Sequence, residues 1–383
     1  MRCLDPSAIV RWMAATLLLA LAPLAAADEG VSDTTVKWGM SAPLSGPNGA
    51  YGRAMKEGIE AYFAQVNARG GVAGRRLELV ALDDGYETAA AVANAKQLID
   101  GHKVFALLGF YGTSPTEAVL PVLEARRVPL IGTVSGAEVL RKPASPYMFH
   151  LRASYNDETA EIVKALTTVG VRRIAVFYQD DGFGQAGLKG VVQALQQHQL
   201  QPVATASVPR NSVDVAQAVQ VIAKAEPQAV VMVTLYRPTA EFVKRMREAG
   251  ASPHFVALSP VGTDQLIAEL GPQHSRGIQV SQVIPYPWSD KLPVVREYKK
   301  VLAEHARHHH FSYYSLEGYL NAKLVVAAME RAGRPLTRTR LIEALRAAPF
   351  DLGGYTVKYI PGSNSGSTYV EISVVGQDGR ILN

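Results

Sequence analysis

The sequence predicts an α/β protein made of two doubly wound parallel-sheet lobes joined by a hinge that the chain crosses several times. Three observations carry this. Short apolar runs alternate with helix-length amphipathic stretches, which is the signature of βαβ units and a parallel sheet with right-handed crossovers. The alternation begins afresh near residue 158, with no low-complexity linker between the two blocks. From residue 284 onward the pattern breaks into helices that have no strands of their own to cover, so they are expected to flank an existing sheet, and repeated crossings of that kind make a hinge.

The elements follow in order. A strand at 36–40 leads into a Gly- and Pro-rich loop at 41–52, an irregular segment by composition, and a helix at 53–69 is stopped by Gly70-Gly71. Strands at 77–82, 105–108 and 128–131 alternate with helices at 88–99 and 113–125, and the block closes at 147–151. The second block reads helix 158–169, strand 173–178, helix 185–197, strand 202–208, helix 213–225, strand 229–234, helix 239–249 and strand 254–258. A strand at 278–283, helices at 292–305, 314–332 and 338–347, and a two-stranded finish at 355–359 and 369–375 complete the chain. The expected division is 31–151 with 284–350 as lobe 1, and 152–283 with 351–383 as lobe 2.

Residues 1–27 read as a cleaved secretory signal peptide. Arg2 and Arg11 precede an apolar run at 12–24, and Ala25-Ala26-Ala27 supplies the small residues of a cleavage site. Cys3 is the only cysteine and leaves with this segment. The exported chain then has no disulfide, no thiolate nucleophile and no cysteine to carry a lipid, and is expected free in the periplasm.

At 383 residues the chain exceeds one ordinary core. Its 48% hydrophobic and 19% charged residues are those of a globular protein. The formal charge of +5 is dispersed among acidic residues, without a dense Lys/Arg block, and gives no footprint for nucleic acid.

The chemical motifs are mostly excluded. Gly182-Phe183-Gly184-Gln185-Ala186-Gly187 matches G-x-G-x-x-G after a strand, but the next strand ends Ala204-Thr205-Ala206-Ser207 without the acid that would hold a ribose. His308-His309-His310 point in different directions on a helix end and make a poor chelate. Asp83-Asp84 and Asp180-Asp181 sit where turns and helix caps are expected. No nucleophile elbow, zincin motif or Walker loop occurs, so no enzyme, cofactor or metal is expected. What remains is a set of polar and aromatic residues at the carboxyl ends of strands: Tyr51, Tyr111, Thr113, Ser114, Ser135, Phe183, Tyr236, Arg237 and Ser259. Ligands of open α/β sheets bind at that edge, where helix N-termini present N–H groups to an anion. The stretch 107–116 is the expected floor, with Thr113 and Ser114 also readable as plain helix-capping residues.

Together with the loop 41–46 (SAPLSG), the run 59–74 (IEAYFAQVNARGGVAG), Asp83-Asp84, 106–109 (ALLG), 135–137 (SGA) and 173–184 (RIAVFYQDDGFG), the chain resembles the type I periplasmic binding proteins of the leucine/isoleucine/valine-binding branch, the solute receptors of ABC importers. The resemblance covers nearly all of the chain after residue 27. It implies a monomeric two-lobed clamp that closes on a small-molecule ligand and delivers it to a membrane permease. Thr113 matches the hydroxyl residue for a ligand carboxylate, Ser114 follows it, and Ser135 and Gly136 match the second loop of that pocket. Phe183 and Tyr236-Arg237 match positions supplied by the second lobe.

One position departs from the family pattern. Amino-acid-binding members place an acid for the ligand ammonium where this chain has the neutral Ser259, and a buried ammonium without a carboxylate partner is costly. Asp264 lies nearby but at a helix start, where a local cap is expected. The reading is therefore an amino acid, of branched-chain type, or a related small carboxylate, including aromatic or aliphatic acids without the amine. A ligand-binding sensor subunit would use the same clamp.

Overall fold

The computed structural model describes residues 28–383. The signal-peptide reading concerns residues 1–27 and lies outside the described residues. Five parallel strands form the first sheet in the order β2-β1-β3-β4-β5. They are β1 (Thr35–Ala42), β2 (Arg76–Asp83), β3 (Ala106–Leu108), β4 (Leu130–Ile131) and β5 (Met148–Phe149). The second sheet has seven strands, ordered β14-β13-β10-β9-β8-β6-β7. Its strands are β6 (Ile174–Asp180), β7 (Thr205–Pro209), β8 (Ala229–Val233), β9 (His254–Ala257), β10 (Gln279–Gln282), β13 (Glu371–Val375) and β14 (Ile381–Leu382).

Along β7-β6-β8-β9-β10 the second sheet repeats the strand order of the first, so the two halves are built alike although no repeat shows in the residues. The inner strands β3 and β8 are buried throughout. That explains their unbroken apolar sequence, since helices cover both faces of a parallel sheet.

Helices α1 (Gly49–Ala68), α2 (Thr88–Lys96) and α3 (Thr113–Arg126) belong to the first sheet. Helices α4 (Tyr155–Thr168), α5 (Gly182–Gln197), α6 (Ala216–Lys224), α7 (Tyr236–Glu248) and α8 (Thr263–Ser275) follow in the second half. The chain then returns. After β10 come α9 (Pro293–His305), α10 (Tyr313–Ala332) and α11 (Arg338–Ala347), with α9 and α10 packed against α1. One continuous hydrophobic core runs from Trp38 and Tyr51 in the first half through Phe183 and Val231 in the second. The halves are therefore closed on each other.

Helix ends differ from expectation where side chains cap them. α4 starts at Tyr155, ahead of the expected 158, because Ser154 and Asp157 form a capping box: the Asp157 N–H donates to Ser154 Oγ (3.1 Å) and the Ser154 N–H to Asp157 Oδ2 (2.9 Å). α5 starts at Gly182 because Asp181 accepts from the Phe183 and Gly184 N–H groups. The expected two-stranded finish is not one ladder. β12 (Thr356–Val357) pairs with β11 (Phe350–Asp351), and β13 joins the second sheet antiparallel to β10. Each short strand satisfies its backbone on the nearest open edge. The three histidines lie past the end of α9, in a loop where the His308 N–H donates to Glu57 and His309 Nδ1 contacts the Leu302 carbonyl. No metal-binding cluster occurs among the described residues.

α1 and α10 cross in backbone contact because each carries a glycine at the crossing. A Cβ on Gly58 would stand 1.9 Å from the Ser315 carbonyl oxygen, and one on Gly318 would stand 2.1 Å from that of Met55. Gly58→Ala is expected to cost about 1 to 3 kcal/mol through overpacking, read as a lowered urea midpoint. An unchanged midpoint would mean that the two helices separate there without loss.

Candidate functional site

The carboxyl end of β3 runs through Gly109 to Gly112, and α3 starts immediately after. Gly112 is the N-cap at φ 93°, and a Cβ there would lie 2.6 Å from the Tyr86 ring, so both backbone and space require glycine. Thr113 is the first helical residue and makes no capping bond, which corrects the capping alternative. Its hydroxyl instead meets Ser135 Oγ at 2.8 Å, and Ser135 Oγ accepts the Ala137 N–H at 3.2 Å. Gly136 packs under Tyr155, whose N–H donates to the Gly136 carbonyl at 2.7 Å. Two hydroxyls thus sit beside first-turn N–H groups that have no intrahelical acceptor.

From the second half, the start of α5 faces this floor. The Gly182 N–H donates to Ser114 Oγ at 3.2 Å, and the Phe183 ring lies 5.4 Å from that of Tyr155.

An aromatic wall closes the side. Tyr51 stacks on Tyr111 at 4.9 Å and 19°, and meets Tyr314 and Tyr236 edge-on at 4.9 and 5.4 Å. The Tyr51 hydroxyl donates to the Val261 carbonyl (2.8 Å) and accepts the Tyr236 N–H (3.1 Å), so one phenol ties α1 to two loops of the second half. Burial pushes the Tyr51, Tyr86, Tyr111 and Tyr314 hydroxyls well above the ordinary phenol range. The wall is therefore uncharged.

At the mouth, Arg210 lies 4.3 Å over the Tyr86 ring and donates to the Tyr86 carbonyl and to Thr88 Oγ1. Asn211 bonds Glu87 at 2.7 Å and Asn48 at 3.0 Å.

The charges lie deeper, where the chain passes between halves. Arg152 and Glu317, 165 residues apart, form a bidentate pair at 3.0 and 3.2 Å, and each is 2% exposed. Glu158, fully buried, accepts the Ser259 N–H (2.8 Å), Ser259 Oγ (3.0 Å) and Ser281 Oγ (2.5 Å). Burial pushes both carboxyls up, against the opposing pull of the Arg152 guanidinium. Ser259 is neutral but not bare, because a carboxylate from another helix rests on it.

The structure gathers Tyr51, Tyr111, Thr113, Ser114, Ser135, Gly136, Phe183, Tyr236 and Ser259 around the junction of the two sheets' carboxyl edges. Arg237 stands at the rim instead: it lines a small cavity with Asn48, Gln179 and Asn211, while its guanidinium lies 3.8 Å from Glu269, both 43% exposed. Asp83 accepts from the Leu44 and Ser45 N–H groups and Ser45 Oγ, and Asp84 from Ser41 Oγ and the Tyr86 N–H. Both carboxylates pin loops. Sequence reasoning missed Tyr86, Arg152, Tyr155, Glu158, Arg210, Tyr314 and Glu317. Glu158 had a faint signal as an acid in a helix's first turn, which ordinary dipole complementarity also explains.

The model of a family described as periplasmic binding protein matches residues 35–380. A substrate-binding periplasmic protein from Ralstonia solanacearum is 34% identical, with a TM-score of 0.85 over 91% of this chain and 99% of that one. A possible leucine/isoleucine/valine-binding protein from Rhodopirellula baltica is 32% identical, with a TM-score of 0.87 over 94% and 98%. An amino acid binding protein from Pseudomonas aeruginosa is 27% identical over 245 residues, which span 63% of this chain and 65% of that protein. These similar proteins are binding proteins, not enzymes.

Glu317→Ala would leave Arg152 charged, buried and unpaired. It is expected to destabilise the fold by about 3 to 5 kcal/mol in denaturant titration. A loss below about 1 kcal/mol, the level of an exposed pair, would show that water reaches Arg152.

Proposed function

The chain belongs to the periplasmic binding protein family, and on that premise we propose that it is the solute receptor of an ABC importer. It closes on a small carboxylate ligand between two lobes and presents the closed form to a membrane permease. The lobes are 31–151 with 284–350, and 152–283 with 351–383. The protein acts as a monomer, exported by the segment 1–27. Among the described residues no helix is long and apolar enough to cross a membrane.

The observation that carries the reading is the meeting of two helix starts. Thr113 and Ser114 at the start of α3, with Thr113 paired to Ser135 from the loop after β4, face Gly182 at the start of α5, and a Cβ on Gly182 would lie 3.0 Å from Ser114 Oγ. The uncapped start of α3 with its hydroxyl pair suits a carboxylate, whereas at α5 the Phe183 and Gly184 N–H groups already donate to Asp181. Tyr51, Tyr111, Phe183 and Tyr236 supply apolar walls for the rest of the ligand. Thr113, Ser114, Ser135 and Gly136 hold the acid end, and the face at Ser259 meets the other end.

An amino acid is the leading ligand class, in line with the names of the Pseudomonas and Rhodopirellula relatives. Glu158 supports it by delivering a negative charge to Ser259. The second reading, an acid without an amine, is favoured by the three protein donors that Glu158 already accepts.

Calorimetry with leucine and valine against 4-methylpentanoate and phenylacetate separates the two readings. Affinity confined to the amino acids selects the first, and affinity confined to the amine-free acids selects the second. With whichever acid binds, Thr113→Ala is expected to weaken binding by about 1.5 to 3 kcal/mol, the cost of a hydrogen bond to a charged group. An unchanged affinity would remove Thr113 from the floor.

A further inference from the structure

We propose that closing the two halves takes up a proton at Asp264, so that closure becomes less favourable as pH rises. The inference rests on the clamp reading above but needs no particular ligand.

Asp264 stands in the first turn of α8, yet that helix has Gly262 as its N-cap and no side-chain capping bond. The cap expected from its position is absent. The side chain instead lines a cavity of about 10 Å3, room for about one water, together with Arg152, Ser259, Gln282, Tyr313 and Glu317. The walls come from both halves. Asp264 and Gln282 belong to the second-sheet side, whereas Tyr313 and Glu317 belong to α10, which packs on α1. Separating the halves therefore opens this cavity to water.

No surrounding group compensates a charge on Asp264. From α10 it faces Tyr313 and Glu317, from α9 Tyr298, from the segment after β10 Tyr286, and from the crossing segment Arg152. The three tyrosines are held above the ordinary phenol range, first by their own burial, and are neutral. Glu317 is an acid, and the Arg152 fork is committed to it at 3.0 and 3.2 Å. Among the described residues Asp264 takes part in no ion pair and no side-chain hydrogen bond. Asp264 keeps a strip of solvent contact, but burial is the only influence acting on its carboxyl and pushes it up to about 7.

The sign follows from linkage. In the open form the carboxyl meets water and ionises in the ordinary range, near pH 3.9. In the closed form it keeps its proton to higher pH. Closure is then fully favoured below about pH 4, weakens about tenfold per pH unit as pH rises toward the closed-form value, and levels off above it. Burial pushes Glu158 and Glu317 up as well, although each has donors that favour its charged form, so a signal specific to Asp264 is needed to separate it from them.

The test locks the closed form. In a Cys3→Ser background, Ser114→Cys with Gly182→Cys places two cysteines side by side across the cleft, where a Cβ at 182 stands 3.0 Å from the side-chain oxygen of Ser114. The Asp264 carboxyl carbon is then titrated by carbon-13 NMR with the pair oxidised and reduced, using Asp264→Asn for assignment. The expected result is a midpoint near 7 in the oxidised form and at least one pH unit lower in the reduced form. Equal midpoints in the two forms, or an oxidised midpoint in the ordinary carboxylate range, overturn the proposal. Failure of the cysteines to cross-link speaks against the closed clamp itself. In that case melting of the uncross-linked protein judges Asp264. Asp264→Asn should raise the melting temperature at pH 8 and lose that advantage at pH 5, whereas an advantage equal at both pH values overturns the assignment.

Discussion

Arg152, Glu158 and Glu317 are buried together where the chain passes from one half to the other, and the arrangement of the rest follows from keeping those charges satisfied. A single buried ion costs several kcal/mol unless paired and hydrogen-bonded. Here Glu317 fixes the start of α10 to the crossing segment, and Glu158 fixes α4 to the ends of β9 and β10. Arg141, also buried, donates to the Ser135, Arg152 and Ala153 carbonyls, and burial pulls it down to about 10. The crossing segment is thereby tied to the loop that carries Ser135.

With the crossings anchored, the two sheets present their carboxyl edges to each other. Each contributes a helix start to the cleft, α3 after β3 of one sheet and α5 after β6 of the other. Contacts across the cleft are largely neutral phenols, amides and hydroxyls, with Arg210 and Glu87 as charged groups at the mouth. Hydrogen bonds of this kind contribute about 0.5 to 1.5 kcal/mol each. On the proposed clamp reading, bonds of this size allow reopening, and a small bias from a ligand or from one proton on Asp264 would shift the balance.

Much of this was legible in the residues. The alternation of apolar runs and amphipathic stretches named both sheets, since a strand buried on two faces has to be apolar throughout. The meeting of Thr113 with Ser135 was legible because strand ends in a parallel sheet lie on one edge. The role of Thr113 was not. Whether its hydroxyl turns back to cap its own helix or forward to Ser135 depends on Tyr155 and Gly136, which arrive from other parts of the chain. Arg237 shows the converse, since its place beside Tyr236 implied a cleft cation, whereas rotation of one residue along α7 turns it to solvent.

Local chemistry, then, was determined by the sequence alone: strand and helix types, the Asp181 cap, the glycines that stop helices, and the edge on which a ligand would sit. These depend on neighbours within a few residues. Tertiary structure decided the electrostatics. Ser259 read as a missing acid until α4 placed Glu158 on it, Asp264 read as a cap until α10 closed over it, and Arg152 found Glu317 at a separation of 165 residues. Charge in a protein is set by what burial brings near, and no periodicity in a chain encodes a partner that arrives from another sheet.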